Sequence, residues 1–158
     1  MAYVHGREVE AAFRNNIFIA TGAAILLRVS QPHDRIRFEN NLYWREHGPV
    51  QIVWDNQTYS NLGEWQDHTG QELVNGRPSG LVEPPALTRH PRNVRAGKHI
   101  GLPMLRAFRP RANSPATAGG LDLRQMFGLD VGRRDFLGAA LPNSGRLPVG
   151  AIGGRIEK

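Results

Sequence analysis

The chain has 158 residues, of which 40% are hydrophobic and 22% charged, a composition typical of a globular protein and not of a disordered or membrane protein. It contains no cysteine, which excludes disulfides, cysteine nucleophiles and thiolate zinc sites. The formal net charge of +6 suits acidic partners such as acidic polysaccharide, anionic lipid or nucleic acid, without choosing among them.

The beginning of the chain lacks the basic segment and apolar run of a signal peptide, so we expect none in this chain. The most apolar run, residues 17–29, contains Thr21, Gly22 and Arg28. A transmembrane helix needs about 20 apolar residues. We therefore expect no membrane span.

Two segments near the N-terminus repeat one another: FRNNIF at residues 13–18 and FENNLY at residues 38–43. Apolar and aromatic residues alternate with polar ones in both, which predicts β-strands that run through the asparagines. AILLRV at 24–29 and VQIVW at 50–54 predict two further strands.

Residues 60–70, SNLGEWQDHTG, change to helical spacing. Asn61 can cap the first turn, Glu64 can complete a capping box, and Gly70 can end the helix. This predicts one short helix near residues 61–69. Trp54 and Trp65 are expected to anchor this part of the chain in the core.

The character of the sequence changes after residue 76. Residues 77–111 hold eight basic residues and one acid, with prolines and glycines that interrupt any periodicity. We expect a basic irregular segment there. A closing segment follows at 112–158, with a short helix predicted at residues 121–127.

The repeat has a direct physical interpretation. Repeats of 20–50 residues are typical of stacked-coil folds, in which equivalent residues of successive coils lie above one another. Phe13 would then stack on Phe38, and Arg14 would pair with Glu39. Inward asparagine amides can donate to and accept from the same residue in the next coil. The residues predicted to form this ladder are Asn15, Asn16, Asn40 and Asn41.

The segments FRNNIF and FENNLYW, the stretch WDNQTYSNLGEWQDHTGQE and the closing RANSPATAGGLDL…GRRDFLG…VGAIGG together resemble the C-terminal part of right-handed parallel β-helix proteins of the pectate-lyase-like kind. The resemblance covers most of residues 9–153 and is weakest over 89–104. SPATAGG lacks an aspartate that is common in this phrase of the family. Such domains usually have more coils, so the chain is interpreted as the end of a longer protein.

The resemblance implies an all-β fold: the terminal coils and C-terminal closure of a right-handed parallel β-helix. Residues 1–76 would form the coils with a strand-plus-helix insert, 77–111 the basic segment and 112–158 the closure. It also implies a secreted protein, extracellular or periplasmic, that acts on or binds polysaccharide, with acidic glycan favoured. The alternatives are a non-catalytic cap or interaction module of a β-helix, or a fragment without activity of its own.

If the protein is an enzyme, the resemblance implies a polysaccharide lyase or a glycoside hydrolase, and no catalytic residue can be named. The substrate-binding candidates are Arg37, Tyr43 and Phe18, on the inferred outer face of the stacked strands. Arg37 could neutralise a uronate carboxylate or act as a base, and the two rings could form a platform for sugars. Each has an alternative structural interpretation, as an exposed strand arginine or as aromatic packing beneath a loop.

The sequence predicts no metal site and no cofactor. Calcium has no supporting motif, because the spacing of Asp122, Asp130 and Asp135 does not match an EF-hand loop; Asp130 and Asp135 are expected to fix turns near Gly132. The scattered histidines do not suggest zinc. The expected partners are polysaccharide and the remainder of a longer β-helix. Nucleic acid is not favoured, because the basic segment lacks the aromatic interleaving of single-strand binders.

Overall fold

The structure, a computed structural model, describes residues 2–4, 10–32, 34–89 and 105–153. The chain divides into an N-terminal unit, residues 1–83, and a C-terminal unit, residues 84–158. The boundary therefore lies after residue 83, and residues 77–82 contribute two short strands to the N-terminal unit. Residues 90–104 of the predicted basic segment lie outside the described residues.

The N-terminal unit consists of short strands and one helix. In chain order these are β1 (Ala2–Val4), β2 (Ala11–Arg14), β3 (Ile17–Ala20), β4 (Leu27–Val29), β5 (Ile36–Glu39), β6 (Leu42–Arg45), β7 (Ile52–Trp54), β8 (Gln57–Tyr59), α1 (Leu62–Thr69), β9 (Leu73–Val74), β10 (Arg77–Pro78) and β11 (Leu81–Val82).

Most of these strands pair in parallel at a spacing of 25 residues. Ala2 pairs with Leu27 and Leu27 with Ile52 in the sheet formed by β1, β4 and β7. The same offset joins β2 to β5 and β3 to β6. This confirms the mainly β architecture and the stacking of the two repeats, with Phe13 paired to Phe38.

The third pass of the chain departs from this register. After β7 the chain turns back at Asp55 and Asn56, both with positive φ, and β8 pairs antiparallel with β7. The chain then forms α1 and an antiparallel hairpin of β9 and β10. It returns to the stack as β11, whose Leu81 lies beside Leu42.

Each predicted strand through the asparagines is in fact two strands. Asn15 has φ 53° and Asn40 has φ 57°, so the backbone turns in the left-handed region between β2 and β3 and again between β5 and β6. Asparagine tolerates this conformation better than most residues because its short amide can form local hydrogen bonds. The prediction of uninterrupted strands was therefore wrong.

The asparagines at these turns bond to one another across the repeats. Asn40 Nδ2 donates to Asn15 Oδ1 at 3.1 Å, and Asn16 Nδ2 donates to Asn41 Oδ1 at 3.0 Å. Asn41 Nδ2 also donates to the carbonyl of Phe13 at 2.8 Å. The side-chain amides thus form two adjacent columns that join one repeat to the next.

Aromatic rings fill the core beneath these turns. The rings of Phe13 and Phe38 stack with centroids 4.6 Å apart. The rings of Trp54 and Trp65 meet that of Phe38 edge-on, with centroid distances of 6.1 and 5.6 Å. Trp65 has no exposed surface and Trp54 only 8%, as predicted for core anchors.

On the other face of the sheet, Arg14 Nε donates to Glu39 Oε2 in the predicted ion pair.

The predicted helix is confirmed at both ends. Asn61 Oδ1 accepts from the backbone N–H groups of Gly63 and Glu64, and α1 ends at Gly70, with φ 67°. In this conformation glycine avoids the steric cost of a side chain. Leu62, Trp65 and Gln66 form the buried side of the helix.

The C-terminal unit contains little regular structure in its described part. A 3₁₀ turn covers Arg106–Phe108, and α2 covers Leu123–Phe127, inside the predicted 121–127. No helix among the residues that the structure describes is long and apolar enough to cross a bilayer.

The asparagine columns generate a stability prediction. Asn40→Ala removes the bond to buried Asn15 and places alanine at positive φ. Asn56→Ala, at an exposed turn with φ 64°, imposes the same backbone strain without breaking a column. We expect Asn40→Ala to lower the free energy of unfolding by about 1–3 kcal/mol more than Asn56→Ala, measured by urea denaturation. Equal losses would contradict a contribution from the columns.

Candidate functional site

The N-terminal unit carries a cleft of about 490 Å³. It lies where β5, the β7–β8 turn and the end of α1 meet. Its lining residues are Pro32, Asp34, Arg37, Trp54, Asp55, Gln57, Tyr59, His68, Thr69 and Gln71.

Arg37 reaches this cleft because of the strand alternation in β5. Ile36 and Phe38 are buried in the core, whereas Arg37 between them is exposed. The side chain of Gln71 holds the backbone on both sides of Arg37. Its Oε1 accepts from Phe38 N at 2.8 Å, and its Nε2 donates to Ile36 O at 3.1 Å.

The side chain of Gln71 therefore supplies, at the edge of β5, hydrogen bonds that a neighbouring strand would otherwise supply. An exposed strand edge otherwise presents unpaired backbone groups that invite pairing with another chain. Here one amide, only 3% exposed, takes the place of two ladder bonds. The same contact fixes the direction in which Arg37 leaves the strand.

The polar lining of the cleft has mixed charge. Asp34 and Asp55 are exposed carboxylates, and Arg37 is the one guanidinium in the lining. His68 lies on α1, with its ring centroid 5.8 Å from that of Tyr59. Together with Gln57 and Thr69 these groups offer donors and acceptors of the kind that bind hydroxyl-rich ligands.

The other two predicted substrate-binding residues lie elsewhere. Tyr43 is completely buried, and Phe18 is partly buried and packed against the core. Their rings do stack, with centroids 5.2 Å apart, but on the inside. Their predicted position on the outer face was wrong, because the left-handed turns at Asn15 and Asn40 interrupt the alternation, and both rings pack into or against the core.

A buried carboxylate lies under the second asparagine column. Glu72 has no exposed surface. It accepts from Tyr43 Oη at 2.8 Å, and from the backbone and side-chain nitrogens of Asn41 at 3.1 and 2.5 Å. The hydroxyl of Tyr43 is therefore directed at Glu72 and not at a ligand.

Glu72 takes the place of a third asparagine. The register of Leu81 with Leu42 aligns Gly80 with Asn41, so a side chain at residue 80 would continue the column. Gly80 has none, and a Cβ built there would lie 2.9 Å from both Cγ and Oε2 of Glu72. The carboxylate thus fills the position of the missing rung and ends the column.

Burial raises the pKa of Glu72 from 4.5 to about 7. The bonds from Asn41 and Tyr43 oppose this by stabilising the ionised form, but removal from water has the larger effect. Burial also raises the pKa of Tyr43, and the negative charge of Glu72 raises it further.

The aspartates of the C-terminal unit serve the backbone. Asp122 caps α2 at Gln125 N and accepts from Gly145 N at 2.7 Å. Asp130 accepts from Gly132 N, and Asp135 accepts from Leu137, Ala139 and Gly153. The backbone bonds hold the pKa of Asp122 below its usual value. No group of three or more potential metal ligands occurs among the residues described.

The sequence predicted Arg37 but missed its neighbours in the cleft. Asp55 and Asn56 stand between two β-like runs, and a two-residue turn there could have been recognised as a hairpin. That would have placed Gln57 and Tyr59 beside β7. No sequence signal marks Glu72 or Gly80, because their relation depends on the irregular path between β8 and β11.

Comparisons with known proteins identified no relative of this chain. No family model, no curated protein and no solved structure matches the chain.

The raised pKa of Glu72 predicts a pH-dependent stability. A raised acid pKa means that the folded protein retains a proton that the unfolded chain has released between pH about 4.5 and 7, so this contribution is fully present below that range and is lost as the pH rises through it. The loss should total about 3 kcal/mol.

Replacing Glu72 with glutamine should remove this contribution. Urea unfolding from pH 4 to 8 should show a difference between wild type and Glu72→Gln that changes across the window. Glu64→Gln, at an exposed carboxylate on α1, provides the control. Parallel pH profiles for wild type and Glu72→Gln would contradict the assignment.

The contact between Gly80 and Glu72 predicts a strong coupling. Gly80→Ala should lower the free energy of unfolding by about 1–3 kcal/mol, because the added methyl group overlaps the carboxylate. In a Glu72→Ala background the space is free, and the same substitution should be nearly neutral. A double-mutant cycle measures the difference; additive effects would show that Glu72 does not occupy this position.

Proposed function

We propose that this chain is the closing end of a right-handed parallel β-helix and that its cleft around Arg37 binds polysaccharide. The fold proposal is supported by the 25-residue parallel register and by the asparagine columns, together with the resemblance of the sequence. A location outside the cytoplasm belongs to the same proposal.

The observation that carries the binding proposal is the fixed, exposed position of Arg37 in a polar cleft. The side chain of Gln71 bonds to the backbone on both sides of it, so the backbone that carries the guanidinium is held in place. Rigid presentation reduces the entropy lost on binding. Asp34, Asp55 and His68 then supply further partners for sugar hydroxyls around the same cleft.

The charges of the residues that line the cleft indicate which chemical groups of a glycan would bind there. Two carboxylates and one guanidinium give no excess of positive charge. A cleft of this kind suits hydroxyl groups with a single carboxylate placed at Arg37 better than it suits a densely charged chain. If the protein is an enzyme, Asp34 and Asp55 are candidates for the paired carboxylates of a hydrolase, and Arg37 for the base of a lyase.

A second candidate function is that of a structural cap that binds no ligand. The way in which the stack of strands ends favours this candidate. Gln71 covers the edge of β5, and Glu72 ends the asparagine column. Stacked-coil proteins require terminal units that shield the open end. In this proposal the partner is the remainder of a longer β-helix.

Binding at the cleft predicts a specific effect of Arg37. Methyl-esterified oligogalacturonate is neutral and its de-esterified form is acidic, so the pair separates hydroxyl recognition from carboxylate recognition. Titration of either should shift the NMR signals of Trp54 and His68, which line the cleft. We expect Arg37→Ala to weaken binding of the acidic form at the cleft by about tenfold, the loss of one charge-assisted contact, and that of the neutral form less.

Arg77→Ala is the matched control, because it removes the same charge from an exposed strand that does not line the cleft. Equal losses in the two variants would show that only net charge matters. No shift at Trp54 with any pectin or alginate oligosaccharide, with or without calcium, would favour the cap. Release of unsaturated or reducing ends during the titration would identify a lyase or a hydrolase.

A further inference from the structure

The charge of the protein is distributed unequally between its two units. Residues 84–158 contain 13 of the 20 Lys and Arg and 4 of the 14 Asp and Glu, a net charge of +9, whereas residues 1–83 contain 7 and 10, a net charge of −3. The basic character of the chain therefore belongs to the C-terminal unit alone.

The acids of this unit are too few to neutralise its arginines. In its described part, 84–89 and 105–153, there are eight arginines, no lysine and three aspartates. All three aspartates are engaged with backbone N–H groups at a helix cap and at turns. Within those residues no arginine forms an ion pair.

Two paired segments of the unit carry four arginines. Leu87 and Pro110 form an antiparallel bridge. Thr88 N donates to Arg109 O at 2.8 Å, Arg89 N to Ala107 O at 3.0 Å, and Arg111 N to Ala86 O at 2.9 Å. These bonds align residues 86–89 with 107–111. We call the resulting group the arginine cluster: Arg89, Arg106, Arg109 and Arg111.

The cluster is exposed and its backbone is fixed. Arg89, Arg106 and Arg111 are exposed, and Arg109 is half-buried. Ser114, 6% exposed, donates its hydroxyl proton to Pro85 O, and Thr117 Oγ1 donates to Arg111 O at 3.0 Å. The two segments are therefore tied to the turn that follows them, and the backbone that carries the four arginines is held in place.

We propose that the arginine cluster is a binding surface for acidic polysaccharide, separate from the cleft of the N-terminal unit and independent of whether that cleft binds sugar. Guanidinium groups bind carboxylate and sulfate groups in bidentate fashion, which lysine cannot do. Four such groups on two adjoining segments match a chain that carries an anionic group on each sugar.

The surroundings favour polysaccharide over nucleic acid. Single-strand nucleic-acid binders combine basic residues with exposed aromatic rings on which the bases stack. In residues 84–89 and 105–114 the one aromatic residue is Phe108, which is half-buried. The helices of the described part of the unit, Arg106–Phe108 and Leu123–Phe127, are shorter than a recognition helix that reads a DNA groove.

The test measures binding of the full chain to a heparin octasaccharide, to oligogalacturonate and to single-stranded DNA of similar charge by isothermal titration. The triple variant R89Q/R106Q/R111Q should lose at least about tenfold in affinity for heparin, and for oligogalacturonate when both proteins also carry Arg37→Ala, which weakens the cleft. The matched control, R133Q/R134Q/R146Q, removes the same charge from exposed arginines outside the two paired segments, and it should lose less than about threefold.

A lysine triple, R89K/R106K/R111K, keeps the charge and removes the bidentate geometry. It should bind more weakly than wild type and more tightly than the glutamine triple, and it serves as the test variant if the glutamine triple does not fold. Equal losses in cluster and control variants, full affinity in the lysine triple, no glycan binding by wild type, or tighter binding of DNA would each overturn the proposal. Arg77→Ala, on an exposed strand of the N-terminal unit outside the cleft, should leave heparin binding unchanged.

Discussion

The hydrogen bond between asparagine amides of successive repeats is the interaction on which the N-terminal unit depends. At Asn15 and Asn40 the backbone enters the left-handed region, which ends one strand and begins the next. The amides of these turns bond to each other and so permit only one register, that of 25 residues. A shift by one residue would lose these bonds and reverse the two faces of each strand. The stacking of Phe13 on Phe38 and the pairing of Arg14 with Glu39 follow from that register.

The closure of the stack uses the same chemistry with different residues. In the third pass the chain departs from the repeat to form the β7–β8 hairpin and α1. Two of its side chains then occupy the positions that a further strand and a further asparagine would fill. Gln71 supplies an amide to the open edge of β5. Glu72 supplies a carboxylate to the end of the asparagine column, with Gly80 leaving the space for it. Because the carboxylate is buried, this closure is sensitive to pH in a way that an asparagine would not be.

Sequence patterns predicted the features that recur in each repeat, but they did not predict the turns and returns of the chain that interrupt it. The parallel register, the aromatic stack and the cap residues Asn61 and Gly70 follow from local patterns that the structure confirms. The position of Tyr43 could not be predicted by counting alternate residues, because a left-handed turn changes that count. Arg37 was recognised as exposed, but the cleft around it depends on the return of the chain through β8 and α1. Such contacts between distant residues leave no periodic signal.

The unequal distribution of charge gives the two units different electrostatic character. The N-terminal unit has both carboxylates and a guanidinium in the lining of its cleft, so neither sign of charge dominates there. The C-terminal unit has an excess of arginine, and its aspartates are already engaged by backbone groups. Positive charge that no neighbouring acid neutralises attracts a polyanion over about a Debye length, whereas polar contacts in a cleft act only at hydrogen-bond distance. Binding of an anion at the arginine cluster would therefore weaken with added salt more than hydrogen bonding in the cleft.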